Sequence, residues 1–430
     1  MLNQFNQQSP AQKLFCLFLG GILLLILMVM GASLFAGGSP DLIVSDANGY
    51  YSWTRSIFLD GDVDFRNDYA YLYAPDPLPS DMARSTPRGL VPNKYPIGMG
   101  ILYIPGFILG HLTALVTPFM ADGASLPYQF FVPFSLALLV LGGFYLFFTA
   151  LMRSGIKTEV ALPVSCLMLL GTNLLHYVAK EPAMSHAAGV TVLNALIFLS
   201  TCHSFFSQRP ILARSLAGGL SGLLVVIRLS NIVFVPFIWV LFHDELRKFK
   251  DWLPLLFGGS LFMLIQELMY FWLWGIIVIY PYKGEGFNAG FTGLYESLLG
   301  QNWGVFLHHP WYLILVICNL VGVIIIARHR LLFSTALLSF VGLWILNGLW
   351  NNFATSFGHR AFIELLPALS LPAAVLLNSI MLTKSVKRLG IVIAALLVFL
   401  NVHIWAGYLL QKYDHNPHRT LADVYLWTVR

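Results

Sequence analysis

Charged residues are scarce in this chain. Asp, Glu, Lys and Arg make up 10% of its 430 residues, whereas 57% are hydrophobic and the mean hydropathy is +0.73. A soluble domain of this size could not bury so much apolar surface, because every compact fold keeps a large exterior. The formal net charge of +5 is spread along the chain and forms no basic run suited to nucleic acid. The composition therefore excludes a soluble or nucleic-acid-binding protein and indicates a polytopic integral membrane protein.

Cysteine is also rare, and several familiar signatures are missing. The sequence contains no Ser-His-Asp order, His-Glu-x-x-His pair, P-loop or dinucleotide-binding fingerprint. No unit of roughly 20–50 residues repeats, and no paired broken helices mark an inverted-repeat transporter. The few cysteines all lie inside apolar runs, so we expect them to pack between helices without forming a disulfide; they are Cys16, Cys166, Cys202 and Cys318.

What the chain has in abundance is apolar stretches long enough to cross a bilayer. The first, 14–36, is too long for a signal peptide and lacks a small-residue cleavage site, so we interpret it as an uncleaved helix. Arg228 interrupts another, which is tolerated where the backbone faces protein or a cavity. The sequence predicts an all-α polytopic membrane protein with about 11–13 transmembrane or re-entrant helices, near 14–36, 97–117, 127–152, 158–176, 185–206, 211–227, 231–243, 253–279, 311–327, 331–349, 361–383 and 389–410.

The short loops predict the orientation, because cytoplasmic loops carry an excess of Lys and Arg. Lys13 places the N-terminus in the cytoplasm. The basic loops, which we also place there, contain Arg153/Lys157, Arg209/Arg214, Arg247/Lys248/Lys250, Arg328/Arg330 and Lys384/Lys387/Arg388. Segments 37–96, 177–184, 280–310, 350–360 and the tail from 411 are then outside.

We therefore expect a single membrane domain over residues 1–430. It comprises a first transmembrane helix (14–36), an outer, periplasmic loop with interfacial helices (37–96), the remaining transmembrane or re-entrant helices (97–410) and a short periplasmic C-terminal tail (411–430). The absence of Asn-x-Ser/Thr sequons agrees with the inner (plasma) membrane of a bacterium.

One stretch conflicts with this orientation. Three apolar runs lie between the outer loop that ends near Tyr95 and the outer segment 177–184, where an even number of crossings is required. We expect 97–117 to be a juxtamembrane element or a re-entrant hairpin. Its Pro105 and its Gly106-x-x-x-Gly110 pair suit a bent, closely packed structure.

Polar residues at the outer ends of the helices are the candidates for chemistry. A charge near the bilayer centre costs about 3 kcal/mol and persists beside a cavity or a partner. In the first outer loop, Ser45 or Asp46 can cap a helix, on which Tyr50, Trp53 and Ile57 fall on one side. This pattern predicts an interfacial helix lying on the membrane with Asp46 at its start. A simple capping role is the alternative for Asp46.

Two further outer segments carry candidates. Lys94, followed by Tyr95, lies where the chain re-enters the membrane and is well placed to meet a phosphate; snorkelling to the interface is the alternative. Glu181 begins the next helix beyond the second outer segment, close to His186, and could also be a boundary cap.

The break in the apolar stretch near residue 228 and the fourth outer segment complete the set. Arg228 and Asn231 lie at the break, where the cost of a charge in the membrane argues for a function. His359 and Arg360 end the fourth outer segment. Arg360 could simply pair with Glu364, four residues further along one helix.

Together, the predicted outer ends carry two carboxylates, Asp46 and Glu181, and three cations, Lys94, Arg228 and Arg360. This combination fits group transfer from an anionic lipid, because a carboxylate can orient or deprotonate an acceptor hydroxyl while cations stabilise a departing phosphate. It does not fit hydride transfer or redox chemistry.

The pattern resembles the GT-C superfamily of membrane glycosyltransferases, and in particular the branch of protein O-mannosyltransferases and the lipid A aminoarabinose transferase. The resemblance covers most of the chain but its motifs are short. They are Asp46 followed by Tyr50 and Tyr51 after the first helix, Lys94-Tyr95-Pro96 where the family has Lys-Pro-Pro, Glu181 at the next acidic position, and Gly222-Leu-Leu-Val-Val-Ile-Arg228 as a Gly-Leu run ending in a basic residue.

The resemblance implies transfer of a sugar from a polyprenyl-phosphate-linked donor in the outer leaflet to an envelope glycan, lipid or protein, with inversion at the sugar carbon. It implies that Asp46 is the catalytic carboxylate, acting as a base or through a divalent cation, with Glu181 as a second acidic residue. Lys94 and Arg228 would hold the donor phosphate. The other substrate-binding candidates are Tyr50, Tyr51, Tyr95, His186, Asn231, His359 and Arg360.

The resemblance leaves some questions open. The loop has Asp46-x-x-Gly49 where several members carry an acidic pair, so the likeness does not extend to a metal-binding pair. A transporter or flippase for a lipid-linked or anionic solute is the alternative function, although its polar groups should lie at several depths. A non-catalytic envelope scaffold would not explain the charge of Arg228.

Overall fold

The computed structural model describes residues 9–36, 41–73, 80–277, 280–282, 285–288, 290–301, 304–350, 357–380, 384–411 and 421–427. The fold is 78% helical, and the described residues contain no β-strand. One isolated bridge pairs Phe287 with Trp350. The predicted all-α fold is confirmed. Most of the predicted tail 411–430 lies outside the described residues, as do parts of the predicted outer segments 280–310 and 350–360.

The α-helices follow the predicted apolar stretches closely. Two stretches are divided, near Gly171 and near Cys202, where short helices follow longer ones. The helices are α1 (Pro10–Ala36), α2 (Asp46–Arg55), α3 (Arg66–Leu72), α4 (Gly98–Leu115), α5 (Leu126–Arg153), α6 (Thr158–Leu170), α7 (Leu174–Ala179), α8 (Ser185–Ser200), α9 (His203–Gln208), α10 (Pro210–Ile227), α11 (Val235–Phe242), α12 (Phe249–Trp274), α13 (Thr292–Leu299), α14 (Val305–His308), α15 (Trp311–Ile325), α16 (Arg330–Gly348), α17 (Leu365–Ser379), α18 (Lys384–Leu409) and α19 (Leu421–Leu426).

Seven of the described helices are long and apolar enough to cross a membrane, by length and composition: α1, α4, α5, α10, α12, α16 and α18. Four shorter helices, α6, α8, α15 and α17, are also apolar. The chain is thus an all-α polytopic membrane protein.

Several helix ends follow local signals in the sequence. Pro127 and Pro210 lie in the first turns of α5 and α10, where proline needs no amide hydrogen. The Asp251 side chain accepts a bond from the Lys248 amide at 3.0 Å and caps the start of α12. Gly275, with φ of 73°, ends α12 in the left-handed conformation that glycine adopts without strain.

Helices α1 and α5 pack antiparallel and define the two faces of the bundle. Phe15, early in α1, stacks on Phe148, late in α5, with ring centroids 4.4 Å apart. Just beyond α1, the amides of Leu42 and Ile43 donate to Gln129 at the start of α5, at 3.0 and 2.9 Å. The face that holds the end of α1, the start of α5 and helix α2 is called the α2 face below, and the other is the opposite face.

The basic loops gather on the opposite face. Lys387, at the start of α18, pairs with Glu159, at the start of α6. Arg214, early in α10, pairs with Asp251 of α12 at 3.2 Å. Arg153 also contacts Cys202, next to the Arg209/Arg214 loop, at 3.2 Å. Four of the five basic loops therefore share one face, and the N-terminal end of α1 lies with them. Which face is cytoplasmic stays a prediction from the loop charges.

Helix α4 begins and ends on the α2 face. At its start, the Gly100 carbonyl accepts a bond from Thr54 of α2 at 2.8 Å. In the loop that follows α4, the Gly123 carbonyl accepts a bond from Tyr51 of α2 at 2.7 Å. The start of α4 and the loop after it therefore both contact α2. That 97–117 does not cross the membrane, which would resolve the parity conflict found in the sequence, stays a prediction.

The segment 97–117 is nevertheless one continuous helix and not a hairpin, so that part of the interpretation is corrected. Pro105 lies inside the helix without ending it. Gly106 allows close contact with α5, since a Cβ there would lie 2.5 Å from the Phe131 carbonyl oxygen. The other side of α4 exposes an apolar stripe suited to lipid, formed by Ile108, Leu109, Leu112, Leu115 and Val116.

Helix α2 is enclosed by protein and does not lie on the membrane as an interfacial helix, which corrects the expectation for its surroundings. Every residue from Ala47 to Arg55 is buried. Trp53 is wholly buried and donates its indole N–H to the Tyr95 carbonyl at 2.8 Å. Arg55 pairs with Asp60 and Asp68 at 2.8 Å each. The periodic pattern marked one apolar side of α2, but neighbouring segments cover the other sides as well.

Candidate functional site

A cavity of about 400 Å³ lies at the α2 face. Its volume and its mixture of apolar walls with a few charged groups are typical of a small-molecule site. Seven of the predicted site residues line it: Asp46, Tyr50, Lys94, Tyr95, Arg228, His359 and Arg360. Segments far apart in the sequence thus contribute to one site.

Asp46, the first residue of α2, is the carboxylate that faces the cavity from this helix. It accepts a hydrogen bond from the Tyr95 hydroxyl at 2.7 Å and forms an ion pair with Arg360. The Asp46 and Arg360 side chains are 34% and 21% exposed. Ser45 makes no capping bond with its side chain, and Asp46 is the acidic residue in the first turn of α2. The bonds of Asp46 to Tyr95 and Arg360 are contacts that a helix cap alone would not need.

The residues that precede the two partners of this ion pair both have a backbone φ in the positive region, which non-glycine residues rarely adopt. Ser45, before Asp46, and His359, before Arg360, both have φ of 55°. A non-glycine residue in this region costs about 1–3 kcal/mol and persists where the surrounding structure enforces it. Such strain concentrates at functional sites, and here it flanks both ends of one ion pair.

The electrostatic surroundings keep Asp46 ionised. Burial alone would raise the pKa of Asp46, but the charge of Arg360, the Tyr95 hydrogen bond and the charge of Lys94 hold it below its usual value. Burial and the neighbouring carboxylate raise the pKa of Tyr95 well above its usual value, so its hydroxyl stays protonated. Burial opposes the charge of Arg360, but Asp46 raises the Arg360 pKa and keeps it cationic.

Lys94 reaches the cavity from the end of the first outer loop. Its ammonium pairs with Glu285 at 2.6 Å and lies 5.4 Å from the ring centre of Tyr95 and 5.9 Å from that of Tyr282. These contacts hold the ammonium inside the cavity wall, whereas a snorkelling lysine would extend into the interface. Glu285 and Tyr282 were not identified in the sequence.

Arg228 follows the last residue of α10, where the chain leaves the helix. Its backbone is extended, with φ of −152°, and a 3₁₀ turn over Leu229–Phe234 follows. Asn231, which is buried, donates its side-chain amide to the Leu224 carbonyl at 3.0 Å and satisfies a carbonyl at the end of α10. The break therefore turns Arg228 into the cavity, while Asn231 stabilises the break and does not line the cavity.

Behind Arg228 lies a buried cluster of polar side chains. The Arg228 guanidinium donates to Glu364 at 3.2 Å and also contacts the His186 ring. The Nδ1 atom of His186 lies 3.1 Å from each carboxylate oxygen of Glu364. Arg360 does not pair with Glu364 in this arrangement, which corrects the local pairing considered from their spacing. His186 therefore belongs to the support of the site and not to its surface.

Two other predicted site residues also lie away from the cavity. Tyr51 is wholly buried, with its ring against Tyr103 and its hydroxyl bonded to the Gly123 carbonyl. Glu181 pairs with His176 at 3.2 Å. Tyr51 thus joins α2 to α4 and its loop, and the geometry gives Glu181 no direct contact with the cavity.

Aromatic side chains from two late segments complete the cavity wall. Trp350 packs edge-on against Tyr282 and Phe287, with ring centroids 5.8 and 5.3 Å apart, and Tyr280 lies beside them in the lining. No motif singled out this segment. The only available signal was its aromatic and glycine-rich composition between two predicted helices.

The cavity lining combines two carboxylates, Asp46 and Glu285, with three cations and an aromatic wall. Such a lining can bind a molecule with both an anionic group and a ring. The lining gives Asp46 a tyrosine hydroxyl and a guanidinium as partners. Among the described residues, no group of three or more His, Cys, Asp or Glu side chains could hold a metal ion. Comparison with known proteins finds no matching family model, curated protein or solved structure.

Proposed function

We propose that this protein is a membrane glycosyltransferase that uses a polyprenyl-phosphate-linked sugar as donor. The observation that carries the proposal is that the ionised carboxylate of Asp46 lies in the same cavity as Lys94, Arg228 and Arg360. Acceptors of the predicted classes are an envelope glycan, a lipid or a protein. The acceptor side of the reaction takes place at the α2 face, which the loop charges assign to the periplasm.

The cations account for the donor phosphate. Arg228 offers a planar guanidinium suited to two phosphate oxygens, and Lys94 adds a point charge. Each also has a carboxylate partner, Glu364 and Glu285, which fixes its position before the phosphate binds. Leu229 and Ile232 line the cavity beside Arg228, and Ile232 is 60% exposed, so the polyprenyl chain can leave toward lipid on this side.

The proposed reaction is a single inverting displacement. The acceptor hydroxyl oxygen attacks the anomeric carbon, and Asp46 takes the hydroxyl proton. The bond from the anomeric carbon to the phosphate oxygen breaks, and its electron pair leaves with the phosphate. Arg228 and Lys94 stabilise the charge that develops on that phosphate. Tyr95 and Arg360 orient the Asp46 carboxylate toward the acceptor.

A divalent cation does not fit the side chains around Asp46. Such ions prefer several oxygen ligands, usually carboxylates and carbonyls. The nearest partners of Asp46 are the Tyr95 hydroxyl and the Arg360 guanidinium, which supplies only donors. The proposed mechanism therefore uses Asp46 directly as the base.

The proposal is tested by complementation of a deletion strain. The envelope glycan, glycolipid or glycoprotein that the deletion removes is identified by mass spectrometry, and variants are then expressed at matched levels. The wild-type protein should restore the product, and Asp46→Asn should reduce it by more than about a hundredfold because the base is lost.

Asp244→Asn is the matched control, since Asp244 also pairs with an arginine, Arg247, but on the exposed opposite face. It should restore the product fully. Full restoration by Asp46→Asn would contradict a catalytic role for this carboxylate and would favour the transporter or flippase alternative.

A further inference from the structure

Glu364 is the most deeply buried carboxylate of the cluster next to the cavity. Its side chain is 1% exposed, and it lies just before α17. It is absent from the cavity lining, which Arg228 reaches. A buried carboxylate is costly unless it is paired and hydrogen-bonded. The position therefore requires an explanation other than contact with the donor or acceptor.

The partners of Glu364 point to Arg228. One carboxylate oxygen accepts a bond from the Arg228 guanidinium at 3.2 Å, and both oxygens lie 3.1 Å from His186. Arg228 is 20% exposed and lines the cavity, so it connects the buried carboxylate with the site. Gly189 leaves the space that this arrangement needs, since a Cβ there would lie 2.8 Å from Glu364 Cγ.

The segment that carries Glu364 also carries Arg360, and the two residues bind opposite halves of the site. Arg360 pairs with Asp46 of α2, while Glu364 pairs with Arg228 beyond α10. A short 3₁₀ turn over Arg360–Phe362 lies between the two residues, and their side chains extend in different directions. One segment thus fixes both the carboxylate proposed as the base and the cation proposed for the phosphate.

We propose that Glu364 is a positioning residue that holds the Arg228 guanidinium toward the donor phosphate. This inference rests on the proposed function and adds the residue that prepares its phosphate site. An arginine side chain held by one nitrogen keeps its other N–H groups available in a fixed plane. The donor then binds without first having to order that side chain.

The test is a double-mutant cycle on phosphate binding, which does not depend on sugar transfer. Binding of undecaprenyl monophosphate to the purified full-length protein in detergent is measured for wild type, Glu364→Gln, Arg228→Gln and the double variant. Glu364→Gln and Arg228→Gln should each weaken binding roughly tenfold, and the double variant should bind like Arg228→Gln alone, because Glu364 acts through Arg228.

Asp251→Asn is the matched control, because Asp251 is also a largely buried carboxylate paired with an arginine, Arg214, at 3.2 Å but lies on the opposite face; its affinity should equal that of wild type. If Glu364→Gln does not fold, the affinities of the double variant and of Arg228→Gln can still be compared. Both variants lack the Arg228 charge, so neither contains a buried arginine without its carboxylate partner. Equal affinities of these two, together with weaker binding by Glu364→Asp than by wild type, support the proposal, because Glu364→Asp keeps the charge but shortens its reach to Arg228.

Three results would overturn the inference. Wild-type affinity of Glu364→Gln, or a double variant weaker than Arg228→Gln by the full single-variant factor, would show that Glu364 does not act through Arg228, while the proposed function would stand. Failure of the wild-type protein to bind undecaprenyl monophosphate would reject the proposed donor, and the inference with it.

Discussion

Arg360 has two effects on Asp46 at the scale of single residues. It forms the ion pair that orients the carboxylate, and its charge keeps the pKa of Asp46 below its usual value against the opposing effect of burial. The residues before the two partners, Ser45 and His359, have positive φ, a strained conformation that the surrounding structure must enforce. The Asp46 carboxylate therefore stays ionised over the neutral range. The same ion pair lowers its affinity for a proton.

Replacement of Arg360 should therefore change the pH dependence of catalysis. In Arg360→Gln the burial of Asp46 remains but the opposing charge is lost, so the pKa of Asp46 rises. The proposed reaction needs ionised Asp46, so activity should fall as the pH drops through that pKa. The acid limb of the profile of kcat/KM against pH should thus move to higher pH than in the wild-type protein.

Arg247→Gln serves as the control for this experiment, because Arg247 pairs with an aspartate on the exposed opposite face. Its acid limb should coincide with that of the wild-type protein. An unchanged acid limb in Arg360→Gln would mean that Asp46 is not the group whose ionisation controls the rate.

At the scale of elements, the contact between α10 and α12 depends on glycine. A Cβ on Gly218 would lie 1.9 Å from the Leu255 carbonyl oxygen, and one on Gly258 would lie 2.0 Å from the Ser215 carbonyl oxygen. The two backbones therefore touch. Gly218 belongs to a Gly218-x-x-x-Gly222 motif, a spacing typical of closely packed helices, although many sequences with this motif do not pack in this way.

Gly218→Ala should lower the stability of the protein because the added methyl group forces the two helices apart. Overpacking of this kind costs about 1–3 kcal/mol, which should appear as a lower midpoint of thermal unfolding in detergent. Gly219→Ala is the control, since its Cβ would meet no atom closer than 3.7 Å. A Gly218→Ala variant as stable as Gly219→Ala would contradict the close contact.

Element boundaries were largely predictable, whereas their surroundings were not. The apolar stretch predicted at 127–152 became α5 (Leu126–Arg153), because length, apolar composition and proline are local properties. The same local reasoning left the burial of α2 undetermined. Asn231 is a second example. The sequence showed only that the apolar stretch is interrupted there, whereas the structure shows that the Asn231 side chain donates to the Leu224 carbonyl at the end of α10.

At the scale of the whole molecule, the two faces predict an asymmetric pattern of accessibility. The loop after α4 lies on the α2 face, and the loop after α5 lies on the opposite face. Single cysteines at exposed positions can report this, in a background where the native cysteines are replaced by alanine. Ser85→Cys and Ala121→Cys should react with a membrane-impermeant maleimide in intact cells, and Ser154→Cys only after permeabilisation.

Ser85 provides the reference for the outer loop, and Ser154 the reference for the basic loops, so Ala121 is the informative position. Labelling of Ala121→Cys together with Ser154→Cys would show that α4 crosses the membrane. If Ser154→Cys reacted in intact cells and Ser85→Cys and Ala121→Cys reacted only after permeabilisation, the orientation would be opposite to the one predicted from the loop charges.

The sequence by itself determined the class of protein, the positions of most helices and the candidates Asp46, Lys94 and Arg228. These follow from local composition and from the cost of charge in an apolar setting, which need no knowledge of distant contacts. The resemblance to GT-C enzymes added the hypothesis of sugar transfer from a lipid-linked donor, which stays a proposal.

Only the tertiary structure decided which charges meet. Arg360 pairs with Asp46, which is 314 residues away, and Lys94 with Glu285, 191 residues away. The local alternative, Arg360 with Glu364, fails because a 3₁₀ turn replaces the regular helix between them and each side chain enters a different contact. The pairing of charges depends on which helix ends pack together at the α2 face. Residue spacing along the chain does not predict that packing.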